Sequence, residues 1–364
     1  MKKITSKIFK SIILMSLIAI SSIVMAIEPE TRSMQEIYQA ALKEGGIVTV
    51  YAGGDVQSQA AGIKEGFEKA FPGMKLNVIV DYSKVHDGRL DFQVATKKII
   101  PDVVQFQTLH DFPRWKQEGI LMNYKPISWD KVYKDFKDPD GAWTAGLIIT
   151  FHSVSNKDKL GNIKTPKEAK DFLDPKLKGK LISAYPNDDD AVLFWYKQNI
   201  DKYGWKWMED LMKQNPKFVR GSHVPKNEVK DKNTQYTTTL GTSRDASSQS
   251  STFELPEKDG FMAWAQRVAI LKSTKHPESA KLYLNWLIEN QGSPWGVRTD
   301  KMPPKGYKQI WEYKNSNMKK FEKFMMDRAG VESFKAQIRL FVGDVKGEPT
   351  PGELGLYPDK PLSK

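Results

Sequence analysis

From Ser33 to Phe106 the chain alternates short, β-branched apolar runs with longer stretches whose apolar residues recur at helical spacing. Ile37, Ala40, Ala41 and Leu42 mark a first helix, Ser33 to Lys43, which Gly45-Gly46 can stop. Ile47 to Tyr51 reads as a buried strand, followed by a tight turn at Ala52 to Asp55. A helix with Ala60, Ile63, Phe67 and Ala70 on one face ends at Phe71-Pro72-Gly73. Lys75 to Val80, Ser83 to Lys98 and Asp102 to Phe106 then read as strand, helix and strand. That order at these lengths demands a parallel α/β sheet with right-handed crossovers, which binds ligands at the C-terminal ends of its strands.

A second α/β set follows. Leu147 to Phe151 and Gly179 to Tyr185 read as strands, and a helix is expected from about Asp188 to Ile200. Tyr203 to Gln214 reads as helix, Phe218 to Arg220 as strand, Pro225 to Lys232 as helix and Gln235 to Leu240 as strand. Thr242 to Thr252 has few apolar residues and reads as a loop. Ala265 to Leu271 is a further strand, and His276 with Pro277 is the expected start of a helix reaching Ile288, His276 as its cap. Phe321 to Asp327 and Val331 to Leu340 complete the helices before a Pro/Gly-rich tail.

The N-terminus carries an export signal. Lys2, Lys3, Lys7 and Lys10 precede an uncharged run from Ser11 to Met25, and Val24-Met25-Ala26 offers small residues for cleavage near Ile27. The run is shorter than the roughly 20 residues that span a bilayer, so cleavage rather than anchoring is expected. The chain contains no cysteine, which excludes disulfides, thiolate-bound metals, thiol nucleophiles and a lipidated N-terminal cysteine. The mature protein is therefore expected in the periplasm, not as a lipoprotein. Losing the four leader lysines lowers the formal charge from +12 to +8. The remaining lysines are interleaved with acids, so a solvated basic face is expected and nucleic acid is not a partner.

Four stretches, in order, resemble the periplasmic solute-binding proteins of ABC importers, in the family that includes ferric-ion-binding proteins. They are Ile47 to Asp55 (IVTVYAGGD), Ile100 to Thr108 (IPDVVQFQT), Leu173 to Leu181 (LDPKLKGKL) and Val268 to Asn290 (VAILKSTKHPESAKLYLNWLIEN). The resemblance implies two α/β lobes joined by two crossing strands, near Ile148–Ser153 and Gln266–Leu271. After a signal peptide at 1–26, lobe one would take 27–147 with 266–300, and lobe two 152–262 with 301–364. A small molecule or ion would bind between the lobes, the hinge would close, and an inner-membrane permease would receive the cargo. The protein is expected to be a monomer without a cofactor.

Ferric members of that family use a His in the first ligand loop, an acid after the third strand and an adjacent Tyr pair in lobe two. Here the matching positions are Asp55 and Gln107, and Thr239 to Ser247 contains no Tyr. A hard ferric ion wants phenolate and carboxylate oxygen, so the iron site is not carried over. Which metal, if any, is bound is left open.

The remaining candidates each have a plain structural alternative. Asn187 to Asp190 precedes an apolar helix; one acid would cap it, whereas several could form a rim attracting a cation, with Asp188 and Asp189 as contacts. His86 with Asp87 or Asp91 could hold a metal and Arg89 could clamp an anion, unless both begin a solvated helix. Gly53 and Gly54 could bring backbone amides to a ligand beside Asp55, or only form a turn. Arg220 to His223 and Thr242 are comparable strand-end candidates. The facing acids favour a cationic solute, a metal ion or an organic amine. No HExxH, GxSxG, GxGxxG or phosphate-loop motif occurs, so an enzyme is not expected. An exported hydrolase with an unrecognised acid pair, or an envelope-bound basic protein, is the alternative.

Overall fold

The computed structural model describes residues 27–243, 250–290, 295–350, 352 and 354–361. The expected signal peptide at 1–26, and the middle of the loop expected at 242–252, lie outside the described residues. No described helix is long and apolar enough to cross a membrane.

The strands are β1 (Ile47–Gly53), β2 (Lys75–Asp81), β3 (Val103–Phe106), β4 (Thr144–His152), β5 (Ser155–Asn156), β6 (Leu181–Ala184), β7 (Lys217–Val219), β8 (Thr238–Leu240), β9 (Thr242–Ser243), β10 (Ser251–Thr252) and β11 (Met262–Ile270). The helices are α1 (Met34–Lys43), α2 (Ala61–Ala70), α3 (Ser83–Ala95), α4 (Asp111–Gln117), α5 (Lys157–Leu160), α6 (Asp190–Tyr203), α7 (Trp205–Lys213), α8 (Val224–Lys230), α9 (Pro277–Glu289), α10 (Met318–Met326) and α11 (Arg328–Val342). Among the described residues they form two sheets, in the orders β2-β1-β3-β11-β4-β9 and β10-β5-β8-β6-β7.

Lobe one is the parallel β2-β1-β3 set, in register from Ile47 opposite Lys75 to Gly53 opposite Asp81, with β11 added antiparallel to β3. Both sheet faces are covered, so its strands are apolar on both sides. Val48, Val50 and Val78 pack on one face with Phe67, Leu284 and Leu287, while Tyr51, Ile79 and Val104 pack on the other with Phe112 and Trp115. Burying a side chain such as Phe67 completely stabilises the fold by roughly 1.5–3 kcal/mol. In the second lobe β6 pairs parallel with β7 and β8, and the core gathers Phe172, Trp195, Tyr196 and Trp207 with Phe321 and Phe334 of α10 and α11.

The lobes meet on β4 and β11, which pair antiparallel along their length. On one face of β11 Met262 and Trp264 pack in the core of lobe two and Ala269 in that of lobe one, while Ala263, Val268 and Ile270 on the other face all belong to lobe one, so the strand spans both lobes. The crossing strands are longer toward their N-termini than the sequence pattern suggests.

Three details differ from the sequence reading. Thr242–Ser243 and Ser251–Thr252 form short strands rather than loop, because β4 and β5 offer them edges to pair with. His276 precedes α9 without capping it; its Nδ1 lies 3.2 Å from Asp102 Oδ1 instead. Third, α10 and α11 stay with lobe two, but the residues on either side of them do not. Ile310 joins the core of lobe one, with Tyr307, Trp311 and Tyr313 packed against it. Beyond α11 the tail returns to lobe one, where Tyr51 Oη donates to Pro358 O (2.8 Å), Arg89 Nε to Gly355 O (2.8 Å) and Gln93 Nε2 to Leu356 O (2.8 Å). Polar atoms on α3 and β1 that would otherwise be buried unpaired are satisfied by this return.

Candidate functional site

A cleft of about 270 Å³ opens between the lobes. Lobe one contributes the end of β1 (Gly53, Gly54, Asp55), the start of α3 (Tyr82, Ser83, Lys84) and the end of β3 (Gln105, Gln107, Thr108). Lobe two contributes Tyr185, Asp188, Asp189 and Asp190, then Gly221, Ser222 and Ser243. Leu147, Ile149, Phe151, Trp264 and Gln266 of the crossing strands line it between them. The strand ends and helix starts are therefore where an open α/β sheet puts a ligand.

Gly53 and Gly54 are there for packing. A Cβ on Gly53 would collide with the Ser83 side chain, and one on Gly54 would lie 2.7 Å from Gln59 Oε1. Gly53 lets α3 begin directly against the end of β1, which brings Ser83 and Lys84 to the cleft. Ser83 Oγ then accepts the Gln107 main-chain N–H at 3.2 Å.

Contacts cross the cleft between lobes. Ser222 Oγ donates to Asp55 Oδ2 at 2.5 Å, with His223 Nδ1 3.6 Å from the same oxygen. Burial works to raise the Asp55 pKa, but the nearby His223 and the hydrogen bond from Ser222 prevail and hold it below the usual value. Lys84 Nζ lies 2.7 Å from Asp188 Oδ1, and Arg220 Nε donates to Asp188 Oδ2 at 3.1 Å. At the rim, Tyr82 Oη and Thr350 Oγ1 are 2.9 Å apart.

The three consecutive acids do different work. Asp189 Oδ1 caps α6, accepting the N–H groups of Ala191 (2.7 Å) and Val192 (3.1 Å). Burial, and then Asp55 across the cleft, push its pKa up to about 7. Asp190 is turned into its own lobe, 2.8 Å from Arg328 Nη1 and Lys335 Nζ, and those cations outweigh burial to keep its pKa low. Asp188 is the interlobe contact just described. So the capping reading holds for Asp189, and the rim of three free acids is corrected to one latch, one cap and one internal ion pair.

His86 and Arg89 are not cleft residues, which corrects both candidates. His86 stacks on Tyr51 at 4.5 Å and Phe106 at 5.5 Å, in the core of lobe one. Its Nε2 must donate to Ile79 O (3.0 Å), leaving Nδ1 to accept Arg89 Nη1 (2.7 Å). Burial and the Arg89 charge push its pKa down to about 3. Arg89 Nη2 pairs with Asp81 Oδ2 at 2.7 Å, both side chains being buried. Arg220 and Thr242 sit behind the cleft wall. Thr242 Oγ1 donates to Ser222 O at 3.1 Å and so holds the loop that carries Ser222.

Several lining residues were not singled out in the sequence. Thr108 Oγ1 and Trp264 Nε1 are buried there without a hydrogen-bond partner among the described residues. Trp264 sits on a crossing strand, and that position is the signal that could have marked it. Tyr82 and Tyr185 are the described lining tyrosines; they belong to opposite lobes and are not the adjacent pair of a ferric site.

The bacterial extracellular solute-binding protein family model matches residues 98–305. No characterised protein sequence matches significantly. Among solved structures, the substrate-binding protein of an ABC transporter from Agrobacterium tumefaciens is similar at a TM-score of 0.68 and 12% identity, over 82% of this chain and 96% of that one. AfuA from Actinobacillus pleuropneumoniae, with fructose-6-phosphate bound, gives 0.61 at 17% identity over 82% and 98%. Iron-bound HitA from Pseudomonas aeruginosa gives 0.59 at 14% identity over 80% and 99%. These similarities show one fold across both lobes, and by the family model that matches more than half of it the chain belongs to the bacterial extracellular solute-binding protein family.

Proposed function

We propose that the protein captures a small solute bearing a positively charged group and delivers it, lobes closed, to an inner-membrane ABC permease, working as a soluble periplasmic monomer. The observation that carries the ligand class is the pair Asp55 and Asp189, which line the cleft from opposite lobes and, among the described residues, have no Lys or Arg ion-pair partner. Lys84 and Arg220 are spent on Asp188, and Arg328 and Lys335 on Asp190. A like-charge pair in a closed cleft is relieved by protonation or by a cationic guest, and a guest that binds only the closed form drives closure. Thr108 Oγ1 and Trp264 Nε1 supply uncharged polar contacts beside it.

AfuA carries a sugar phosphate and HitA carries iron. An anionic phosphate would add to the carboxylates already lining this cleft, and the phenolate pair for ferric iron is missing. The reading is therefore an organic amine. Native mass spectrometry of the purified protein, followed by calorimetry with amines, ferric citrate and hexose phosphates, tests it. One amine should bind one to one and lose affinity in Asp189→Asn. Tight binding of a phosphate ester with no response to amines would overturn the reading.

A further inference from the structure

We propose that Asp87, His110 and Asp111 form a divalent-cation site of the zinc class on lobe one, separate from the solute cleft. Asp87 lies on α3, His110 immediately precedes α4 and Asp111 opens it, so the fold rather than local sequence brings them together. One ligand atom from each lies within 4.8 Å of the others. None of the three lines the cleft.

One observation points to a missing partner. Asp111 is 3% exposed, and its Oδ2 is buried with no hydrogen bond, although Oδ1 accepts Arg114 Nη2 at 2.8 Å. His110 Nε2 stands 3.7 Å from Asp111 Oδ2. Two ligands of one tetrahedral zinc, each about 2 Å from the metal, are separated by about 3.3 Å, so a small side-chain adjustment would bring both onto an ion. A buried carboxylate oxygen left without a partner is costly, and an ion held by His110 Nε2 would satisfy Asp111 Oδ2.

The surrounding charge permits a cation. Arg114 is turned onto Asp91, at 2.8 Å from Oδ2, as well as onto Asp111 Oδ1, and so faces the cluster from one side. Asp190 and Arg328 of lobe two also act on His110, with opposite signs. One imidazole with two carboxylates suits zinc; calcium and magnesium seek six or more oxygens or retain most of their water. An ion there would tie α3 to the start of α4 beside the interlobe seam.

The test is calorimetry of the mature protein, freed of metal by a chelator, with zinc chloride, calcium chloride and magnesium chloride, together with absorption spectra after cobalt(II) addition. One zinc per chain is expected, with no heat from calcium or magnesium and tetrahedral cobalt bands. His110→Gln and Asp111→Asn should each weaken zinc by about 100-fold or more, and Asp189→Asn should leave it unchanged. Asp111→Asn disturbs Arg114 and risks the fold; His110→Gln alters a partly exposed side chain and carries the test alone if needed. Zinc uptake undiminished in His110→Gln, zinc lost only in Asp189→Asn, or no uptake by the wild type, would each overturn the proposal.

Discussion

Replacing Arg89 with methionine should unfold lobe one at a markedly lower temperature. The guanidinium makes three contacts: Asp81 Oδ2 at 2.7 Å, His86 Nδ1 at 2.7 Å and Gly355 O at 2.8 Å. Asp81 is only 3% exposed, and removing its partner strands a buried carboxylate. Breaking a buried ion pair from one side costs about 3–5 kcal/mol. At roughly 2–4 °C per kcal/mol for a unit of this size, the melting temperature should fall by about 6–20 °C. Adding Asp81→Asn should restore part of the loss, because an amide tolerates burial far better than an unpaired charge and can still accept the Tyr82 N–H (2.8 Å) through its oxygen. A thermal melt of the double-mutant cycle, followed by circular dichroism, reads the coupling directly. If Arg89→Met melts within about 2 °C of wild type, the guanidinium is not a structural pin and the argument fails.

Three further outcomes follow from the same contacts. Asp189→Asn keeps a capping side chain but removes a carboxyl whose pKa is raised from 3.8 to about 7, so the wild type loses stability as pH rises between those values, by about 1.4 kcal/mol per pH unit. The variant should therefore melt higher than wild type at pH 8 and lose that advantage near pH 4; an equal difference at both pH values would refute the assignment. Deleting residues 350–364 removes the acceptors of Tyr51, Arg89 and Gln93, and should cost about 3 kcal/mol at roughly 1 kcal/mol per hydrogen bond, with a larger radius of gyration by X-ray scattering. An unchanged melt and unchanged scattering would show that the tail only rests on the surface. Ser222→Ala breaks the bond to Asp55 across the lobes and should open the unliganded protein without unfolding it, seen as increased scattering radius at constant circular dichroism.

Much of lobe one was legible because its signals are local. The β-branched runs at Ile47 and Lys75, the helical spacing of Ile37 or Phe67, and the stop at Gly45-Gly46 each depend on neighbours within a turn or a strand. The same holds for the Asp189 cap, whose partners are two and three residues away. Strand ends at Asp55 and Gln107 could be assigned to the cleft because the parallel topology dictates where loops converge.

His86 and Arg89 show where local reading ends. Ser83, His86, Arg89, Leu90 and Gln93 lie on one buried face of α3, a helical stripe that is mostly polar. A polar stripe normally faces water. This one is buried because the chain returns some 266 residues later to set backbone carbonyls against it, and Asp81 supplies the counter-charge. The acids of the cleft were sorted the same way: Asp188 by Lys84, 104 residues distant, and Asp190 by Arg328 and Lys335 of the last helix. Sequence by itself determined the periodicity, the elements and the edges on which a site could form. Which charges were paired, and which were left facing the solute, was decided by tertiary structure, because the interaction of two charges depends on their distance and surroundings in space and not on their separation along the chain.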